Sequence, residues 1–166
     1  MPHNICALVV AGPIDTERAG LVGLQAVLVH GDLHVFPIDH YYSAYWSAKR
    51  ANHARLELPA DLSAAITFPG EAVLRDLAGE VSGTDRPRFA IIQTEYFAGM
   101  GSQWAVAFEG VERLSPDGSS INQALAALGV RATATMDEFE VLGLTGFRGN
   151  PDYLDDYVDL CDELGV

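Results

Sequence analysis

TEYFAGMGSQWAV, Thr94 to Val106, sets aromatic and β-branched residues on either side of a glycine-bracketed AGMGS. Such enrichment around a Gly-rich break is the mark of a β-hairpin. With the turn at Ala98 to Ser102, Phe97 stands opposite Gln103, Tyr96 opposite Trp104 and Glu95 opposite Ala105. Cross-strand partners share a face. One face then carries Ile92, Thr94, Tyr96, Trp104, Val106 and Phe108 as core, with Tyr96 and Trp104 as an aromatic pair. The other carries Gln93, Glu95, Gln103, Ala105, Ala107 and Glu109, where small alanines leave room beside polar groups. Gly99 and Gly101 are assigned the positive-φ conformations of a tight reversal. A one-residue change of register would undo this separation of faces.

Outward from the hairpin, Ile5 to Ala11 is an aliphatic run ended by Gly12-Pro13 and is expected as a buried strand. Gln25 to His30 and Leu33 to Asp39 flank Gly31-Asp32 as a second hairpin, and Glu138 to Leu142 is expected as a further strand. Val73, Leu74, Leu77, Ala78 and Val81 predict a helix over Glu71 to Glu80. Ser82 to Pro87 is a loop. Ser120 is an N-cap for a helix carrying Ile121, Ala124, Leu125 and Leu128, stopped by Gly129. Asn150 caps and Pro151 opens a last helix, with Leu154, Tyr157, Val158, Cys161 and Leu164 at helical spacing. His40 to Leu58 fits an aromatic helical stripe or a strand, and the choice stays open. No repeat or linker interrupts the chain. Residues 1–166 are therefore expected as one globular domain of the α+β class. Its sheet is mainly antiparallel and built from hairpins, with two to four helices including an acidic amphipathic C-terminal one.

The 166 residues are 49% hydrophobic and carry 23 Asp and Glu against 10 Lys and Arg, a formal net charge of -13. Free nucleic acid is a poor partner for such a chain, because polyanions are bound through clustered Lys and Arg. A basic protein surface is a good one, since opposite charge speeds encounter. Six acids, Asp152, Asp155, Asp156, Asp159, Asp162 and Glu163, stand on the outside of the last helix. Asp162 and Glu163 oppose the helix dipole, so local helix stability does not account for that face. No uncharged apolar run is long enough to cross a bilayer, and the amino terminus lacks a basic n-region. Cys6 and Cys161 lie on apolar stripes outside any metal-ligand spacing, and the low cysteine count suits a reducing compartment. The cytoplasm is the expected location; whether the two cysteines pair is left open.

HGDLHVFPIDH offers His30, Asp32, His34, Asp39 and His40 as metal ligands, but in no tight ligand spacing, so no metal is assigned. There is no GxSxG elbow, no GxGxxG and no P-loop, so no cofactor and no catalytic residue is assigned. Glu95 projects from a polar strand face that suits hydrogen bonding.

TEYFAGMGSQWAV, SSINQALAALGV and DEFEVLGL together resemble small uncharacterised bacterial proteins with a T-[ED]-Y-F-x-G-x-G-x-Q hairpin, an INxAL helix and a DEF segment. The resemblance covers roughly Thr94 to Leu144 and implies no activity. Size and acidity are also similar to the immunity proteins of bacterial toxin systems. The leading expectation is a non-catalytic acidic binding protein, an immunity-type inhibitor of a basic toxin or nuclease. Glu95, Gln93, Gln103, Tyr45 and Trp46 would contact the partner while Asp155, Asp156 and Asp159 steer it. One alternative is an enzyme or small-ligand protein using Glu95, Gln93 and Gln103 with His30 or His34. Another is an oligomeric subunit associating through Tyr41, Tyr45 and Trp46; oligomeric state itself is not read from the sequence.

Overall fold

The computed structural model describes residues 2–63, 67–98 and 100–166. Its centre is a six-stranded sheet in the order β2-β3-β1-β4-β5-β6. The strands are β1 (His3–Ala11), β2 (Leu28–His30), β3 (Leu33–Pro37), β4 (Arg88–Phe97), β5 (Met100–Glu109) and β6 (Glu112–Arg113). Every pairing between them is antiparallel. The α+β class with an antiparallel sheet is therefore the observed architecture.

Helices cover both faces. Cys6, Leu8 and Val10 of β1, with Phe89, Ile91, Val106 and Phe108, enter one core beneath α1 (Thr16–Leu21), α2 (His40–Lys49), α3 (Ala60–Ser63) and α4 (Val73–Ser82). Ile5, Ala7, Val9, Ala90, Ile92, Ala105 and Ala107 enter the other beneath α5 (Ile121–Ala127) and α6 (Glu138–Leu142). The chain closes with a 3-10 turn at Asp152–Asp155 and α7 (Asp156–Leu164), which packs on α2. A sheet buried on both faces explains why β1 reads as a continuous apolar run without alternation. Seven α-helices stand among the described residues, more than the two to four expected, because several are too short to print a period on the sequence.

That double burial also corrects the hairpin. Phe97 pairs with Met100, Tyr96 with Gly101, Glu95 with Ser102 and Gln93 with Trp104. The expected register placed Phe97 opposite Gln103, so the strands are offset by three positions, an odd number, and every cross-strand face recombines. Tyr96 and Trp104 are on opposite faces and form no aromatic pair. β4 runs to Phe97 and β5 begins at Met100, so the strands extend into the segment expected as the turn, Ala98 to Ser102; the φ expected of Gly99 lies outside the described residues. The bulky Phe89, Ile91, Val106 and Phe108 thereby share one core, with the Phe89 and Phe108 rings stacked at 5.3 Å. The expected register assumed one buried and one solvated face, and two buried faces remove that premise.

Other elements shift for local reasons. Of the open segment His40 to Leu58, His40–Lys49 is helical and the remainder is not. The Asp39 side chain accepts the Tyr42 N–H at 2.7 Å, and Tyr42, Tyr45 and Trp46 then fall on one helical side. Glu138–Leu142 is a helix and not the expected strand, because Asp137 and Glu140 form a reciprocal capping box and Gly143 closes it at φ 96°. Ser120 caps α5 as expected, through a second capping box with Gln123. β2 begins at Leu28, later than expected. Asn150 does not cap the final helix, since a 3-10 turn intervenes and its side chain serves elsewhere. Cys6 and Cys161 are both free thiols.

Candidate functional site

The helical layer over one face of the sheet stops short of its end. Along β1 and β4 the residues on that face change from Leu8 and Ile91 to Cys6 opposite Gln93, and then to Asn4 opposite Glu95. A cleft of about 650 Å³ opens there. Asp39 and His40, at the start of α2, form one wall, with Thr67 and the segment Arg148 to Asn150 completing it. Its size falls within the roughly 300–1,000 Å³ of ligand sites.

The segment at Arg148 is pinned to the sheet by main chain and by one side chain. The Asn4 N–H donates to the Arg148 carbonyl at 2.8 Å. Asn150 accepts the Cys6 N–H at 3.0 Å and donates to the Ile38 carbonyl at 2.8 Å, so one amide ties together the strands behind the wall. Gln93 forms the floor at 8% exposure. Its Nε2 donates to Thr67 Oγ1 at 3.0 Å, while its Oε1 is buried without a hydrogen-bond partner among the described residues.

Glu95 and Gln93 are thus brought together as expected, but Gln103 is not with them. It lies on the opposite face, where it accepts the Ile121 N–H at 2.8 Å and donates to the Tyr96 hydroxyl at 2.9 Å. Its role is to hold the start of α5, and the alanines expected beside Glu95 are buried in the core beneath that helix. Tyr45 and Trp46 are half-buried between α2 and α7, with ring centroids 5.2 Å apart and Tyr45 5.4 Å from Tyr157. Tyr41, the third member of the expected aromatic patch, is 37% exposed, so the patch is reduced to Tyr41 and the outer edges of Tyr45 and Trp46. Asp155, Asp156 and Asp159 are exposed, and among the described residues no ion pair engages any of them.

The histidines of HGDLHVFPIDH separate. His34 aligns with Val10 and His30 pairs with Leu33, so neither flanks Glu95; His40 lines the cleft instead. Among the described residues no three His, Cys, Asp or Glu side chains gather closely enough to hold a metal ion. Cys6, Arg148 and Asn150 were not marked as site residues by any sequence pattern. Asn150 reads locally as a helix cap, and only its long-range bonds reveal its place.

Burial pushes the Cys6 thiol up, with the Asp39 charge adding to it, and Cys161 is raised by the same two causes. A nucleophilic thiol is shifted the other way. The Asp39 carboxyl is also held above its usual range, chiefly by burial, against the lowering pull of the Tyr42 N–H; Asp155 raises it further. A folded-state value above the unfolded one means that Asp39's contribution is fully present below the unfolded value. It is lost as pH rises through the raised folded value. Asp39→Asn keeps a capping acceptor and removes the charge. Its stability relative to the wild type is therefore expected to rise as pH is taken from below the ordinary carboxylate range toward neutrality. Urea midpoints across that range measure this; a difference moving the other way would show that the cap outweighs the burial.

No helix among the described residues is long and apolar enough to cross a membrane. Comparison with protein-family models, with curated proteins and with solved structures finds no match to this chain, so fold and site rest on its own geometry.

Proposed function

We propose that the chain is a non-catalytic binding protein for a basic protein partner, an immunity-type inhibitor of a basic toxin or nuclease in the cytoplasm. The observation that carries this is the exposed acidic segment Asp152 to Glu163, left without ion-pair partners among the described residues. It lies near the cleft wall, since Cys161 on the same helix meets the Tyr41 carbonyl at 3.3 Å, one residue from His40. Some acids elsewhere are neutralised, as Glu80 is by Arg50 at 2.6 Å and Glu71 by Arg55 at 3.1 Å, whereas none of the six in this segment is. An uncompensated field beside a concave surface favours fast encounter with positive charge. The test is affinity capture from the native host, followed by association kinetics across a salt series. A basic partner should be retained, and replacing Asp155, Asp156 and Asp159 together by Lys should slow association about tenfold or more at low salt. Retention of no basic protein, or association indifferent to salt, would sink the proposal.

A second reading, a small-ligand protein or enzyme working at Glu95, is favoured by one observation: Glu95 shares its cleft with Asp39 and His40. It differs from the first in requiring turnover or a tightly held metabolite. Mass spectrometry of the gently purified protein after denaturation separates the two.

A further inference from the structure

The geometry points to the cleft as a receptor for a single cationic side chain, an arginine guanidinium above all, presented by the partner. This rests on the proposal that the partner is a basic protein and names the site that reads it.

The lining is rich in acceptors. Glu95 stands at the rim with no hydrogen bond or ion pair to its carboxylate among the described residues, and Asp39 faces the same space from the start of α2. Acidic residues alone would be a solvated surface. The independent observation is Gln93, a lining residue whose Oε1 is buried and has no hydrogen-bond partner among the described residues. An acceptor left in that condition carries its full desolvation penalty unless a donor reaches it. Its Nε2 is held by Thr67 Oγ1, and because the side chain lines the cleft, a donor entering the cleft is the partner assigned to Oε1. A guanidinium carries five N–H donors in a planar fork and no acceptor, which suits a floor carbonyl with carboxylates at the walls. An ammonium satisfies the charge but not the spread of acceptors.

Among the described residues Arg148 is the single Lys or Arg in the lining, and it separates this assignment from its opposite. If the cleft takes a cation, Arg148 opposes binding mildly and its removal helps. If the cleft takes an anion, Arg148 is the residue that holds it.

The probe is N-acetyl-arginine N-methylamide, titrated into the full chain and followed by amide NMR, with the citrulline analogue as its neutral counterpart and inorganic phosphate as the anion. Saturable shifts are expected at residues 4–6, 93–95 and 148–150, with the citrulline compound weaker by about tenfold, as loss of charge-assisted bonds implies. Glu95→Gln and Gln93→Met should each weaken binding by about fivefold to tenfold, and Arg148→Ala should leave it equal or tighter. Gln93→Met is read only if its amide spectrum keeps the native dispersion, and Glu95→Gln, at an exposed site, carries the test if it does not. Equal binding of the citrulline compound would overturn the proposal, as would phosphate shifting the same amides and losing them in Arg148→Ala. A captured basic partner that binds Glu95→Gln and Gln93→Met as tightly as the wild type removes the cleft assignment and leaves the partner proposal standing. Arginine binding at the cleft with no basic partner captured does the reverse.

Discussion

Tyr42→Ala is expected to lower the unfolding free energy by about 4 kcal/mol, within the range of buried aromatic truncations. The side chain is 0% exposed at the junction of α2, α4 and α7. Its ring meets Tyr157 edge-on at 5.1 Å and Trp46 at 6.5 Å. The hydroxyl donates to the Val22 carbonyl at 2.7 Å, which fastens α2 to the turn after α1. Tyr42→Phe keeps the ring and leaves that carbonyl without its donor, so about 1–2 kcal/mol of the loss should appear there. Tyr45→Ala, on the same helix but half-exposed, should cost less than Tyr42→Ala. Against a total stability of about 5–15 kcal/mol for a domain, the Tyr42→Ala loss is large. It also reaches the cleft, because α2 begins at Asp39 and His40. Urea unfolding by tryptophan fluorescence checks the series, and a loss below about 1 kcal/mol for Tyr42→Ala would show that this junction does not hold α2.

How much of this was readable from residue order depends on whether the controlling contact is local. The two strands of the central hairpin, the Ser120 cap and the apolar face of α4 announce themselves within a few residues, and they stand as expected. The helix at Glu138 was masked because its apolar residues suit a strand, and the Asp137–Glu140 capping box decided it. The hairpin register depended on something non-local, the covering of both sheet faces, which no window of the sequence displays. The candidate site follows the same division. Glu95 and Gln93 are neighbours on one strand and were found together. Asp39, Arg148 and Asn150 join them only through pairings that span more than fifty positions of chain, such as Asn150 with the Cys6 N–H. Gln103 was misplaced with the register, as a consequence of the same missing information.

Gly101→Ala is expected to destabilise the chain by about 2–3 kcal/mol, the upper part of the range for overpacking, and to disorder the hairpin tip selectively. The positive φ expected of this glycine is observed, at 158°. The position also requires space. A Cβ there would collide with the carbonyl oxygen of Glu95 and lie 2.7 Å from the Tyr96 Cα, and both obstacles are backbone that cannot turn aside. Relief demands that the strands part where Tyr96 pairs with Gly101, at the last position supported by β1. Hydrogen exchange should therefore quicken at residues 95–102 while the amides of Ile91 and Val106 stay protected. Glu95 moves with the tip, so the arginine probe should lose its site as well. Three positions earlier the sign reverses. Ala98 holds φ 53° without being glycine, and Ala98→Gly is expected to gain up to about 1 kcal/mol by relieving the left-handed strain. Adding a methyl group at 101 and removing one at 98 thus test the same turn from both sides. A Gly101→Ala chain with native stability and native exchange at its tip would mean that Tyr96 does not face Gly101, and Gln103 would then regain its place beside Glu95.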